Sequence, residues 1–437
     1  MNRPILRIAV PSIVSNITVP LLGLVDTAIS GHLGAAVFLG AIAVGTTLFS
    51  TTYWLFGFLR MGTGGLTAQA LGAGKSSECA AWLWRALTLA MGIALLLLCF
   101  QTPILHGALS MMPATPEVEI LATTYFRWLI WGAPAVLSLL ALNGWLLGMQ
   151  DARSPMWVAI LQNVINIMVS LTLVVGLGWK LEGIAFGTLI AQWTGALLAF
   201  AFALHRLHRE KLSATLHEVF GDGDRWRELF LVNRDIFIRT LCLVAVTFAF
   251  TAFGTRQGET LLAVNVLLMQ FFLMVSYVMD GFAYAGEALG GRFLGEGNRR
   301  AFLLLTRRLF FWGAGLSLVF TLVFAVGGTT FIRLLTDNAA VRSAAPEFLP
   351  YAIAVPFVSF AAFLLDGLYI GTTSTRAMLW GMGVAALVFF SVITLSPTTW
   401  GNHALWIAFL LYLGLRGAVQ GLLFPKILRR KFVSSES

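Results

Sequence analysis

The sequence predicts an all-α integral membrane protein of twelve transmembrane helices, arranged as two six-helix bundles that repeat in parallel. Three observations carry this: a composition too apolar for a soluble core, twelve apolar runs of spanning length, and one internal offset that recurs in separate segments. Of 437 residues, 58% are hydrophobic and only 11% charged, with a mean hydropathy of +0.84. Soluble domains run to roughly 45–50% apolar and about 25% charged residues. A bilayer accepts the excess, because spans of about 20 apolar residues satisfy their own backbone hydrogen bonds as helices.

The apolar runs lie near 8–30, 36–62, 80–102, 122–147, 156–177, 183–204, 235–254, 262–288, 302–325, 347–370, 377–396 and 403–424. The loops after even-numbered runs hold most of the Lys and Arg outside the spans, including Lys75, Arg153, Arg206, Arg209, Lys211, Arg292, Arg299, Arg300 and Arg376. Both ends of the chain add more, from Arg3 and Arg7 to Arg429, Arg430 and Lys431. The opposite loops hold only Lys180, Arg256, Arg333 and Arg342. The bias of basic residues toward the cytoplasm therefore places both termini there. The basic N-terminus is read as a retained first span, since the run after it contains Pro11, Pro20 and Asp26 and lacks a convincing cleavage site.

The net charge of +9 comes from loop residues and forms no aromatic-interleaved patch, so no nucleic-acid partner is expected. Cys79, Cys99 and Cys242 are odd in number and without metal-ligand spacing, which speaks against a disulfide framework or a zinc site. No metal or cofactor is expected. There is no HExxH, GxSxG or Walker A sequence and no paired-carboxylate cleft, so the chain is not read as an enzyme. The expected division is a first bundle over 1–205, a cytoplasmic linker over 206–234, a second bundle over 235–425 and a basic tail over 426–437.

Sliding the chain over itself supports two related halves. LTAQALGAGK (66–75) aligns with LGGRFLGEGN (289–298), pairing Gly72 with Gly295 and Gly74 with Gly297, 223 positions apart. The same shift aligns NGWLLGMQDAR (143–153) with DGLYIGTTSTR (366–376), pairing Gly144 with Gly367, Gly148 with Gly371 and Arg153 with Arg376. With an even number of spans per half, both copies enter the membrane from the same side. Transporters built from parallel repeats hold their site at the repeat interface and alternate access around it.

Charge inside a span costs about 2.5–3.5 kcal/mol on insertion scales and marks function by default. Asp26, in VPLLGLVDTAISG, has no basic residue within two helical turns, while Pro20 and Gly23 let its helix bend nearby. A carboxyl withdrawn from water favours its neutral form, so Asp26 can take up a proton and release it when water returns. Asn163, Asn166 and Ser170 share one face of the fifth run, and Thr188 lies in the sixth; these are its candidate partners. Polar amides on such a stripe also serve as interhelical glue. In the second half, Asp280 and Glu287 share a face of span eight. Glu287 is a candidate partner of Arg292 or Arg60, and Asp366 is either a cation-binding acid or a partner for Arg239 or Arg416.

The segments VPSIVSNITVPLLGLVDTAISGHLG, RMGTGGLTAQALGAG, DGFAYAGEALGG and LLDGLYIGTTSTR closely resemble the DinF-like branch of the multidrug and toxic compound extrusion (MATE) family, and the resemblance covers nearly the whole chain. It implies two six-helix bundles forming a V-shaped cleft, and a secondary antiporter that exports cationic or amphipathic compounds in exchange for H⁺ or Na⁺. Carried over by motif, the family's first-span acid matches Asp26, its fifth-span asparagine Asn166 and a sixth-span threonine Thr188. Ser170 stands where relatives often carry an acid, which removes a charged ligand for Na⁺ and favours proton coupling. Asp366 matches an acid of other branches, whose seventh-span acidic partner has no match here.

The expected function is thus an H⁺-coupled (or Na⁺-coupled) drug antiporter acting as a monomer in a bacterial inner membrane, with small-molecule substrates and the lipid bilayer as its partners. The rivals are a lipid or polyisoprenoid flippase of the same superfamily, and a membrane-embedded enzyme or scaffold without transport.

Overall fold

The computed structural model describes residues 1–31, 36–111 and 115–433, with side chains described throughout except at 19, 21–31, 36, 111, 398 and 433. Among the described residues every regular element is helical. The α-helices are α1 Asn2–Gly31, α2 Ala36–Leu55, α3 Phe58–Gly72, α4 Ser76–Cys99, α5 Gln101–Met111, α6 Pro116–Leu129, α7 Ala133–Gly148, α8 Arg153–Leu171, α9 Leu181–Arg209 and α10 Leu216–Phe220. They continue as α11 Gly223–Thr255, α12 Glu259–Gly295, α13 Arg299–Leu335, α14 Ala339–Gly371, α15 Thr375–Leu395 and α16 Gly401–Val433. Eleven helical stretches among the described residues are long and apolar enough to cross a membrane, the first being Val37–Gly72 and the last Gly401–Phe432. They fall on eleven of the twelve expected runs; the remaining run lies in α1, which is 30 residues long with Pro11 and Pro20 inside it.

The segment expected to be a linker, 206–234, is mostly helix. The α9 helix continues to Arg209, α10 covers Leu216–Phe220, and α11 already begins at Gly223. Polar ends of long helices read as loops in a hydropathy pattern because they lie beyond the hydrocarbon, where backbone can be helical without being apolar. The chain divides into two compact units, Pro11–Asn233 and Arg234–Ser437, with Met1–Val10 grouped with the second.

The offset of 223 residues runs through the whole architecture. It maps α1 onto α11, α2 and α3 together onto α12, α4 and α5 onto α13, α6 and α7 onto α14, α8 onto α15, and α9 onto α16, each to within a few residues. Loop geometry follows it. Gly74 and Gly297 both adopt positive φ, at 69° and 65°, and the next residue closes the helix end in each case, Lys75 N–H to Ala70 O at 3.0 Å and Asn298 N–H to Phe293 O at 2.9 Å. This left-handed helix end suits glycine, which lacks the Cβ that would be strained there.

Helix packing obeys the offset as well. A Cβ on Gly144 would strike the carbonyl of Arg60, and one on Gly367 the carbonyl of Ala283, the residue 223 positions after Arg60. A Cβ on Gly148 would lie 2.7 Å from the carbonyl oxygen of Gly64, and one on Gly371 would strike the carbonyl of Glu287, again the corresponding position. So α7 lies backbone to backbone against α3, and α14 against α12, through the Gly-xxx-Gly spacing that suits close helix approach in membranes. The paired glycines recognised in the sequence are therefore the contact points of one helix crossing made twice.

The halves differ in continuity. In the first, α2 and α3 are broken at Phe56–Gly57, α4 and α5 at Phe100, and α6 and α7 by the 3₁₀ turn Ile130–Gly132; α12, α13 and α14 run unbroken through the matching positions.

Substitution of Gly144 or Gly367 by Ala forces the backbones apart, and each is expected to cost about 1–3 kcal/mol. Gly92→Ala and Gly315→Ala, whose added methyl meets nothing within 4 Å, should be close to neutral. Thermal unfolding of the four variants in detergent checks this, and equal stability in all four would remove the crossing as the packing constraint.

Candidate functional site

In the first half the polar residues of α8 are divided between two neighbours. Asn166 and Ser170, a turn apart and both fully buried, face α9. The Asn166 amide Nδ2 donates to Thr188 Oγ1 at 2.9 Å, and the Thr188 hydroxyl donates in turn to the carbonyl of Ile184 at 3.0 Å. Gly187 makes room for Ser170, since a Cβ there would run into the serine hydroxyl. Asn163 points elsewhere: its Nδ2 donates to the backbone carbonyl of Thr18 in α1 at 2.7 Å. It therefore ties α8 to the helix that carries Asp26. The side chain of Asp26 lies outside the described residues.

Two oxygens of this cluster, Asn166 Oδ1 and Ser170 Oγ, are buried without a hydrogen-bond partner among the described residues. Inside a bilayer, where water cannot be assumed, an unsatisfied acceptor costs about 1–3 kcal/mol. The pair is suited to receive a proton-bearing group or a cation. Immediately after Ser170 the helix widens into a π-turn, Thr172–Gly176, a local distortion that recurs at functional sites.

The second half builds a different centre. Asp366 on α14 is held by three long-range partners: the guanidinium of Arg239 on α11 donates to Oδ2, Arg416 Nη2 on α16 donates to the same oxygen at 2.5 Å, and Gln420 Nε2 donates to Oδ1 at 2.7 Å. All four side chains are buried. Arg416 also lies over the ring of Phe363, 5.4 Å from its centroid, and Tyr369 Oη donates to the backbone carbonyl of Gln420 at 2.6 Å. Both arginines weighed as partners for Asp366 are thus engaged at once. Two guanidiniums on one carboxylate leave no free charge for a cation to claim.

Asp280 is half-buried and accepts the Ser276 hydroxyl at 3.3 Å. Glu287 is fully buried. Of the two partners considered for Glu287, Arg292 and Arg60, the first is corrected, because Arg292 binds Glu296 at 2.7 Å. Four residues of helix place Arg292 and Glu296 on one face, whereas five residues rotate Glu287 away from Arg292.

Two groups went unnoticed in the sequence. Gln420 completes the Asp366 centre. Arg85 sits within α4, only 2% exposed, with its guanidinium 4.8 Å from the centroid of Trp82. Its Nε donates to the carbonyl of Val219 at 3.0 Å, and Nη2 to that of Glu218, so it closes the C-terminal end of α10. The N-terminal end of α10 is closed by a capping box between Thr215 and Glu218, and the hydrogen bonds from Thr215 hold the Glu218 carboxyl below its usual range. An arginine inside the apolar run 80–102 was the signal; the rule that singled out Asp26 applies to it equally.

The offset exposes a chemical asymmetry between the halves. Asp26, Asn163, Asn166 and Ser170 correspond to Ala249, Ala386, Phe389 and Ile393, while Asp366 and Arg239 correspond to Asn143 and Asn16. The duplicated scaffold is shared and the polar equipment is not. Among the described residues, no group of three His, Cys, Asp or Glu side chains is placed to hold a metal ion.

A duplicated helical membrane scaffold with distinct buried polar centres in its two halves is what a transporter built from internal repeats presents. The MatE family model matches the chain twice, over residues 11–172 and 236–395, and the chain belongs to that family of multi-pass membrane transporters, which are not enzymes. The chain is 38% identical over 95% of its length, and 90% of the relative's, to DNA damage-inducible protein F of Escherichia coli (strain K12). It is 25% identical over 97% of its length, and 93% of the relative's, to the probable multidrug resistance protein NorM of Xanthomonas axonopodis pv. citri (strain 306). Among solved structures, the Vibrio cholerae MATE transporter VcmN in the bent form has the same fold, with TM-score 0.87 at 18% identity over 99% of this chain and 98% of that one.

Asp366→Asn leaves two buried guanidiniums without their counter-charge and is expected to cost about 3–5 kcal/mol. Gln420→Leu, which removes one hydrogen bond to a group that keeps two others, is expected to cost about 1–3 kcal/mol. Thermal unfolding in detergent measures the difference, and a milder effect for Asp366→Asn than for Gln420→Leu would contradict the ion-cluster assignment.

Proposed function

We propose that this protein exports cationic or amphipathic toxic compounds in exchange for H⁺, by alternating access, with protonation of Asp26 as the coupling step. In this reading it has twelve spans in two parallel repeats, lies in a bacterial inner membrane as a monomer, and keeps both termini in the cytoplasm. The observation that carries the reading is the buried Asn166–Thr188 pair with the oxygens Asn166 Oδ1 and Ser170 Oγ, which have no partner among the described residues, on a helix tied through Asn163 to α1, the helix of Asp26. A protonated carboxyl is a donor for such oxygens, and an ionised one is not. Proton uptake at Asp26 therefore supplies the differential affinity that coupling requires.

Ser170 supports H⁺ over Na⁺. A hard cation held by two neutral oxygens and one carboxylate has fewer charged ligands than it prefers. Asp366, already neutralised by Arg239 and Arg416, is not available as a second cation ligand. The same pairing weakens the flippase reading, which calls for unengaged cations to receive a diphosphate.

Efflux of a fluorescent organic cation from proteoliposomes tests the proposal. Wild-type protein should export under an imposed pH gradient without Na⁺, and Asp26→Asn should abolish the pH-driven component while leaving the protein folded. Unchanged pH-driven export by Asp26→Asn would remove Asp26 from the mechanism, and strict dependence on Na⁺ would exclude proton coupling.

A further inference from the structure

The start of α13 carries four arginines in ten residues, Arg299, Arg300, Arg307 and Arg308, and all are exposed. None has a side-chain ion pair or hydrogen bond among the described residues, whereas Arg292 nearby is spent on Glu296. Spacings of four, three and four place Arg300, Leu304, Arg307 and Phe311 on one stripe of the helix, with Arg308 beside it. Leu304 and Phe311 on that stripe are 44% and 71% exposed, and Leu303 at its edge 41%. Guanidiniums and large apolar side chains thus alternate along one outward face.

The length of α13 fixes what that face meets. Its 37 residues span on the order of 55 Å at about 1.5 Å per residue, against a hydrocarbon core of about 30 Å. The first turns must therefore pass through the headgroup layer. Phosphates lie there, and a guanidinium is fitted to them by its planar, bidentate donor geometry.

The duplication sharpens the point, because Arg308 is the counterpart of Arg85 at the offset of 223. In the first half this arginine is buried, and the carbonyl oxygens of Glu218 and Val219 in α10 occupy its donors. Over Arg308 no described segment provides such oxygens, and Arg307 takes the place of Trp84. The same position has a built-in acceptor in one half and open guanidiniums in the other.

We propose that Arg300, Arg307 and Arg308 form a headgroup site for an anionic phospholipid of the cytoplasmic leaflet. Its phosphodiester oxygens take the role that the α10 carbonyls play for Arg85, and its acyl chains lie along Leu303, Leu304 and Phe311. The site is separate from the buried centres around Asn166 and Asp366 and independent of what is transported.

The test is lipid retention. Full-length protein is captured from mixed micelles containing equal phosphatidylglycerol and phosphatidylcholine, washed, and its bound lipid extracted and quantified by mass spectrometry. Wild type should retain phosphatidylglycerol preferentially, and the triple variant R300Q/R307Q/R308Q should lose that preference by about tenfold or more. The control R209Q/K211Q, which removes two exposed charges elsewhere, should keep it. Undiminished phosphatidylglycerol in the triple variant, or an equal loss in the control, overturns the site. Should the triple variant not fold, the wild type decides: a preference that falls as NaCl in the wash rises supports the site, and one insensitive to salt overturns it.

Discussion

Four glycines set how near the central helices come. With no Cβ on Gly144 and Gly148, α7 rests on the backbone of α3 at Arg60 and Gly64; with none on Gly367 and Gly371, α14 rests on α12 at Ala283 and Glu287. Lipid is as apolar as a leucine side chain, so burial alone gives these helices little reason to associate, and close van der Waals contact between backbones provides it. The crossing being made twice at one offset, the rest of each half, including the helix ends at Gly74 and Gly297, repeats around it.

On that repeated frame the polar groups are distributed unequally. The first half buries amides and hydroxyls whose acceptors at Asn166 and Ser170 have no partner among the described residues. The second buries a full ion cluster, in which Asp366 is satisfied by Arg239, Arg416 and Gln420. A buried ion pair is retained at a cost in desolvation and is weak evidence for stability by itself. Its effect here is to hold the Asp366 carboxylate between two guanidiniums, whereas the Asn166 and Ser170 oxygens of the first half have no partner among the described residues. Breaks in α2–α3 and α6–α7, absent from α12 and α14, fall in that same half.

Much of this was readable in the chain. Spans of about 20 apolar residues and the paired glycines are local or periodic features, and both recur in the structure, as helices long enough to cross a membrane and as close helix contacts, because backbone geometry enforces them directly. The helix ends were less legible, since α9 and α11 extend past their apolar runs into the polar stretch 206–234. Arg85 was legible and overlooked: an isolated charge in an apolar run announces a partner, although nothing nearby in the sequence says that the partner is the end of α10.

By itself the sequence determined the helical membrane class, the duplication, and the polar residues inside the spans, because composition, period and repeat are properties of the chain alone. Only the tertiary structure decided which of those polar residues remain open. Asp366 lies 127 residues from Arg239 and 50 from Arg416, and whether such groups meet depends on the rotation and crossing of three helices. The division of α8 between partners, Asn166 toward Thr188 and Asn163 toward Thr18, was decided in the same way. A shared face in the sequence is an arc of about a hundred degrees, wide enough to touch two neighbouring helices.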